Sequence, residues 1–275
     1  MAPAKKSPTW LKDLLVAFAA TTLSIILTFG TSGVINRIKQ KQERKLTALM
    51  VMSSIEQFAR DLEEIEDDTA YRDSIATWLL SIPIEDVIKY GDTLFFNALH
   101  DAIDLSAVTY DKTAEAIFSS NIDTWKNMGN FKFINSVGYC FSEMNFIEEH
   151  HNSNVLDLKA VFNNISLHKS DYPGSTSTEK ALRNEEARAQ LRSLTSFRVW
   201  LNFCIAELRT QNRNNMRYIG ISEKEVMDFT DDMGAAEEYE DDNFDTSDFL
   251  MPDIEVDSLS TLPYARQLDS LRHAK

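Results

Sequence analysis

Residues 14–35 read LLVAFAATTLSIILTFGTSGVI, a run of 22 residues without a charge. As a helix it spans about 33 Å at about 1.5 Å per residue, enough for a bilayer core of about 30 Å. Trp10 and Lys12 precede the run, and Arg37, Lys39, Lys41, Arg44 and Lys45 follow it. Aromatic and basic flanks of this kind anchor the two ends of a transmembrane helix at the lipid headgroups. A cleaved signal peptide has a shorter apolar core and a small-residue exit site, which this run lacks. A buried helix of a soluble domain is rarely apolar on every face over such a length. The run predicts one transmembrane helix surrounded by membrane lipid, with residues 1–13 as a short tail before it.

Hydroxyls and small side chains recur inside the run. Ala20, Ser24, Thr28 and Ser32 stand four residues apart and share one helix face. Two readings of this stripe stay open. Small residues let a second helix approach closely in lipid, from another copy or from a partner. The hydroxyls also bond their own helix backbone and then face lipid. Orientation is open too. Five Lys or Arg follow the run and three precede it, which leans toward a cytoplasmic body under the positive-inside rule. Lys5, Lys6 and the free amine equally resemble the start of an uncleaved signal anchor.

No Pro occurs between Thr9 and Ile82, so the membrane helix is predicted to continue as a juxtamembrane stem over residues 36–66. Ala48, Val51, Ile55, Phe58, Leu62 and Ile65 follow at spacings of 3, 4, 3, 4 and 3. That is an a/d seam over nearly three heptads. It is short for a coiled coil, and packing against later helices of the same chain produces the same pattern; the latter reading is favoured. Asp67, Asp68 and Thr69 read as a helix stop followed by a new N-cap.

Only eight Gly and six Pro occur in 275 residues, fewer than turn-rich β folds use, and helical spacing dominates the rest. Residues 67–230 are predicted to form an antiparallel helical bundle. Tyr71, Ile75, Trp78, Leu79 and Ile82 make one apolar face, closed by Pro83. Short helices are expected at 84–90, 93–105 and 112–118, then longer ones at 131–149, 155–167 and 178–211. Ile134, Val137, Phe141 and Met144 point inward on the first of these. Leu191, Leu194, Phe197, Leu201, Cys204, Ile205 and Leu208 do so on the last. Asp171-Tyr-Pro-Gly174 is a loop signal, and Ser222-x-x-Glu225 is a capping box.

The net charge of −15 sits almost wholly in one place. Fifteen acidic residues and one Lys between Glu223 and Asp257 carry −14 of it. Like charges at this density oppose compaction, so residues 231–275 are expected to be a largely disordered acidic tail. No basic face of the kind nucleic acid requires is present.

Reaction motifs are missing. The spacing of Gly30, Gly33, Gly91, Gly129, Gly138, Gly174, Gly220 and Gly234 permits neither a P-loop nor a dinucleotide fingerprint. There is no nucleophile elbow, no His-Glu-x-x-His and no Cys-x-x-Cys. Glu148-Glu149-His150-His151 is the most ligand-like cluster, but adjacent helical residues diverge by about 100°. Glu148 and His151 alone could share an ion; a helix C-terminus is the plainer reading. Asp241-x-Asn243-x-Asp245 starts like a calcium loop and then places Thr246 and Pro252 where Gly and Glu are needed. His100, Asp101 and Asp104 read as a solvated helix face. Trp78, Trp125 and Trp200 read as core anchors. Cys140 and Cys204 lie among apolar neighbours and read as buried thiols, with a disulfide open if the body faces an oxidising compartment. No cofactor, metal site or enzymatic activity is expected.

Residues 19–30, AATTLSIILTFG, lead into a basic stretch, and residues 116–130, AIFSSNIDTWKNMGN, lead into a helix ending near His151. Together these resemble uncharacterised single-pass helical membrane proteins of Bacteroidota. The resemblance covers the anchor and about half of the body. It implies a bacterial inner-membrane setting and brings no catalytic residues. The sequence thus points to an all-α protein whose transmembrane helix continues into a stem and a bundle. The expected role is a membrane-anchored, non-catalytic interaction or scaffold protein with a protein partner or a second copy of itself. The alternative is a sensor or regulatory input module that relays a signal through the transmembrane helix.

Overall fold

A computed structural model describes residues 9–90, 92–122, 125, 130–167, 176–238 and 259–273. For residues 9–37, 92, 165–167, 177 and 233–238 it describes the helical backbone alone. The described residues form nine α-helices, one 3₁₀ turn and no strand. The chain divides into two compact units, Met1–Leu49 and Met50–Lys275.

Helix α1, Thr9–Ser81, runs unbroken for 73 residues, as the absence of Pro permits. In the first unit its described side chains, from Ile38 onward, are mostly exposed. Lys39 lies 3.9 Å from Glu43, and Thr47 Oγ1 donates to Glu43 O at 3.0 Å, both one turn apart. The expected stop at Asp67-Asp68-Thr69 does not occur. Asp68 accepts from Arg72 Nε at 2.7 Å and Thr69 Oγ1 donates to Ile65 O at 2.7 Å, so these side chains bond within the helix instead of capping a new one. The helix ends where Pro83 forces the preceding residue out of helical geometry.

The second unit holds the rest. Helix α2 spans Ile84–Tyr90, α3 Asp92–Ile103 and α4 Thr113–Ser120. Helix α5 spans Phe131–Leu167 and merges the two helices expected at 131–149 and 155–167. At His151-Asn152, where a break is expected, the helix continues, and both side chains bond to residues 106 and 108 instead of to the helix's own backbone. Helix α6, Ser177–Arg183, ends at Asn184, which is also the N-cap of α7, Glu185–Ile219. Asn184 Oδ1 accepts from Ala187 N at 3.0 Å and its extended ψ of 123° turns the chain. The single helix expected at 178–211 is therefore two. Gly220, at φ 69°, closes α7 in the left-handed conformation that favours glycine. Ser222 and Glu225 then form the capping box of α8, Glu223–Glu238: Ser222 N donates to Glu225 Oε2 at 2.9 Å, and Glu225 N to Ser222 Oγ at 3.3 Å.

Residues 50–81 of α1, α5 and α7 form the long core. Matched pairs give their directions. Asp73 meets Thr195, Glu66 meets Arg198 and Asn202, Glu56 meets Arg209, and Met52 O accepts from Asn212 Nδ2 at 2.9 Å. Numbers fall on α1 as they rise on α7, so the two run antiparallel. Helix α5 also opposes α7, since Cys140 lies against Asn215 and His150 against Trp200. Val51, Ile55, Phe58 and Leu62 are buried in this core, Ile65 is half-buried, and Ala48 in the first unit is buried as well. Each fully buried Leu or Ile contributes about 1.5–3 kcal/mol.

The chain's end departs from expectation. Residues 231–238 complete α8, and residues 259–273 form a 3₁₀ turn, Leu259–Thr261, and helix α9, Pro263–His273. Leu262, Ala265 and Leu268 are buried in the cluster that holds Trp78 and Phe95. Tyr264 stacks on Trp78 at 6.1 Å and donates to Asp101, and Arg272 reaches Asp86 at 2.5 Å. The acidic run ends at Asp257, so its repulsion does not extend to these residues. Residues 239–258, with Asp241, Asn243 and Asp245, lie outside the described part.

Candidate functional site

A segment without regular secondary structure, residues 104–112, joins α3 to α4, and α5 pins it by side-chain bonds to its backbone. Val108 N donates to Asn152 Oδ1 at 2.9 Å while Asn152 Nδ2 returns to Val108 O at 2.8 Å. His151 Nε2 lies 2.8 Å from Ser106 O, Tyr110 N donates to Glu148 Oε1 at 3.1 Å, and Lys159 Nζ donates to Leu105 O at 3.4 Å and to the Asp104 carboxylate at 3.0 Å. Four α5 residues at helical spacing thus satisfy backbone groups that no ladder serves. His151 is fully buried, and burial lowers its pKa below the usual histidine value, so it acts as a neutral N–H donor. Tyr110 packs on Phe58 and Phe141, and burial followed by nearby Glu115 pushes its hydroxyl pKa upward.

Pinning this segment fixes Leu105, which forms one wall of a half-open cleft of about 380 Å³ between α5 and α7. Cavities of this size fit small organic molecules. Helix α5 supplies His150, Asn154 and Asp157 at i, i+4 and i+7. Helix α7 supplies Gln190, Ser193, Phe197 and Trp200 at spacings of 3, 4 and 3. Leu158 and Leu194 form its apolar floor. At one side His150 stacks on Phe146 at 5.5 Å and meets the Trp200 ring edge to face at 4.8 Å. Trp200 in turn stacks on Phe197 at 5.5 Å, and Phe197 touches His151 at 5.0 Å. Five rings thereby form a continuous chain of contacts. Asp157 is the one carboxylate among the described lining residues, and no Lys or Arg is among them. Nearby cations are paired: Lys159 with Asp104, Arg198 with Glu66, Arg192 with Glu185.

The residues expected to matter fall in different places. Trp10, Lys12, Ala20, Ser24, Thr28, Ser32 and Arg37 lie where side chains are not described. Lys39 and Lys41 are exposed on α1. Among the described residues no helix is long and apolar enough to cross a membrane; the side chains of residues 14–35 are not among them. Glu148, His150 and His151 diverge to Tyr110, Trp200 and Ser106, and no three described His, Cys, Asp or Glu side chains converge as for a metal ion. His100 is exposed, while Asp101 and Asp104 are engaged by Tyr264 and Lys159. Trp78 and Trp125 are buried, whereas Trp200 is half-buried at the cleft and belongs to the site. Cys140 and Cys204 are buried free thiols, and burial pushes both pKa values up to about 12.

Comparison with known protein families, curated protein sequences and solved structures finds no match.

Proposed function

We propose that the chain is a membrane-anchored, non-catalytic helical interaction or scaffold protein of a bacterial inner membrane. One observation carries this reading: α1 continues unbroken from the apolar run of residues 14–35 through residues 36–66 to Ser81, and its apolar stripe between Val51 and Leu79 is buried in a helical bundle. An anchor and a presenting body then share one helix. Exposed apolar side chains support an interaction role for the body. Phe146 on α5 and Val199 and Phe203 on α7 are 51%, 66% and 66% exposed, and Val199 and Phe203 are one turn apart. Clustered apolar exposure of this kind marks association surfaces. Cross-linking in native membranes is expected to give a discrete adduct, of two copies or with one partner. Phe146→Glu together with Phe203→Glu is expected to abolish it. A chain that gives no adduct, and is monomeric in detergent, contradicts the reading.

A second reading is favoured by the cleft. A bundle that takes a small molecule between α5 and α7, with α1 paired to α7 by ion pairs at Glu56, Glu63 and Glu66, has the parts of a sensory input module. Ligand binding would bias the α1–α7 register. Its test is a ligand-induced change in thermal stability of the full chain, which such a module must show.

A further inference from the structure

We infer that the cleft between α5 and α7 is a binding site for a small organic cation with an apolar body, such as a substituted ammonium. The inference rests on the second reading above and names the ligand class for it. The chemistry of the walls carries the choice. Leu158 and Leu194 offer a floor and Leu105 a wall for hydrocarbon, and the rings of Trp200 and Phe197 stand beside them. Aromatic faces attract cations through their quadrupole, Trp most strongly. Asp157 is exposed at the cleft and, among the described residues, supplies its only carboxylate and forms no ion pair with a basic side chain.

The surrounding charges agree. Lys159, Arg192 and Arg198 sit on the same two helices, and each is held by a carboxylate of its own. An anionic ligand would meet Asp157 with no Lys or Arg on the described walls to offset it, so anions are disfavoured. A neutral apolar molecule would fill the floor and leave Asp157 unused. Asn154, Gln190 and Ser193 add neutral hydrogen-bonding groups around the rim, compatible with an ammonium N–H or a ligand hydroxyl.

The probes are benzyltrimethylammonium, its uncharged isostere neopentylbenzene, and phenylacetate, titrated calorimetrically against the detergent-solubilised full chain. Saturable binding of benzyltrimethylammonium is expected, with the two other probes at least about tenfold weaker. Asp157→Asn is expected to weaken the cation about tenfold and leave the isostere unchanged; because Asp157 is exposed, this variant should melt like the parent. Trp200→Leu is expected to weaken the cation as well. Equal binding of cation and isostere overturns the cation assignment while leaving a ligand-binding bundle standing. Tighter binding of phenylacetate overturns the assignment likewise. Binding of none of the three overturns this inference and leaves the sensory reading to its own thermal-stability test.

Discussion

Removing the Arg209 side chain's charge, as Arg209→Met, is predicted to destabilise the α1–α7 seam by leaving a buried carboxylate unpaired. Arg209 Nε lies 3.2 Å from Glu56 Oε1, and its Nη2 lies 2.8 Å from Glu63 Oε2. The two carboxylates are not equivalent: the Glu56 side chain is 4% exposed and that of Glu63 is 47%. Hydrogen bonding to Glu63 is the main reason the guanidinium holds its proton more tightly than usual, with Glu56 adding to it. Loss of the cation leaves the Glu56 charge buried and unpaired, a change that costs about 3–5 kcal/mol in buried pairs. Because the guanidinium is a quarter exposed, the lower end applies, about 3 kcal/mol. In a unit of this size that lowers Tm by about 6–12 °C. Glu63→Gln breaks only a half-exposed contact and is expected to cost under about 1 kcal/mol. The double variant Glu56→Met, Arg209→Met should recover most of the loss, since an apolar pair replaces the ion pair. Thermal unfolding of the solubilised full chain by circular dichroism measures all four proteins. An Arg209→Met Tm within about 2 °C of the parent, or a double variant no better than the single one, refutes the reasoning.

Three further predictions concern other parts of the body. Leu268→Ala, at 1% exposure beneath α9, should cost about 2–4 kcal/mol and shift the unfolding curve accordingly; a loss below about 1 kcal/mol would mean that α9 is not part of the core. Cys140 and Cys204 should resist a charged thiol reagent in the folded chain near neutral pH and react stoichiometrically in denaturant, because burial keeps them protonated. His151 is depressed in the fold, so its contribution to stability is complete above the ordinary histidine pKa of about 6.5. That contribution is lost as pH falls from there through the lower folded value. His151→Asn should flatten this acid-side decline relative to the parent in pH-dependent denaturant titrations.

Much of the helical character was legible before any coordinates. Stripes such as Ile75, Trp78, Leu79 and Leu191, Leu194, Leu201 recur at helical spacing and are buried. The Ser222–Glu225 box and Pro83 act through local backbone chemistry, which a sequence displays directly. Boundaries set by long-range partners were not legible. Asp68-Thr69 resembles a cap, yet Arg72 and the Ile65 carbonyl hold both side chains inside α1. His151-Asn152 resembles a helix end, yet both residues reach a segment 44–45 positions earlier. Asn184 marks a true break that a continuous apolar pattern conceals. Helix α9 was masked by extending the acidic run past Asp257, although Pro263 at a helix start and Ala265–Leu268 spacing were both present. The cleft depends on α5 meeting α7, a pairing of distant residues. Only the helical spacing of its polar side chains, Asn154 to Asp157 and Gln190 to Ser193, hints at it.

The central claim is that residues 14–35 cross a membrane and carry the bundle on one side of it. Cysteines introduced singly at Ser7 and at Gln42, on either side of the run, test this in sealed vesicles with a membrane-impermeant maleimide. Gln42 is exposed, and the two native thiols are buried and should stay silent. The account predicts that one position labels in intact vesicles and the other only after the membrane is opened. Labelling of both positions from the same side contradicts it.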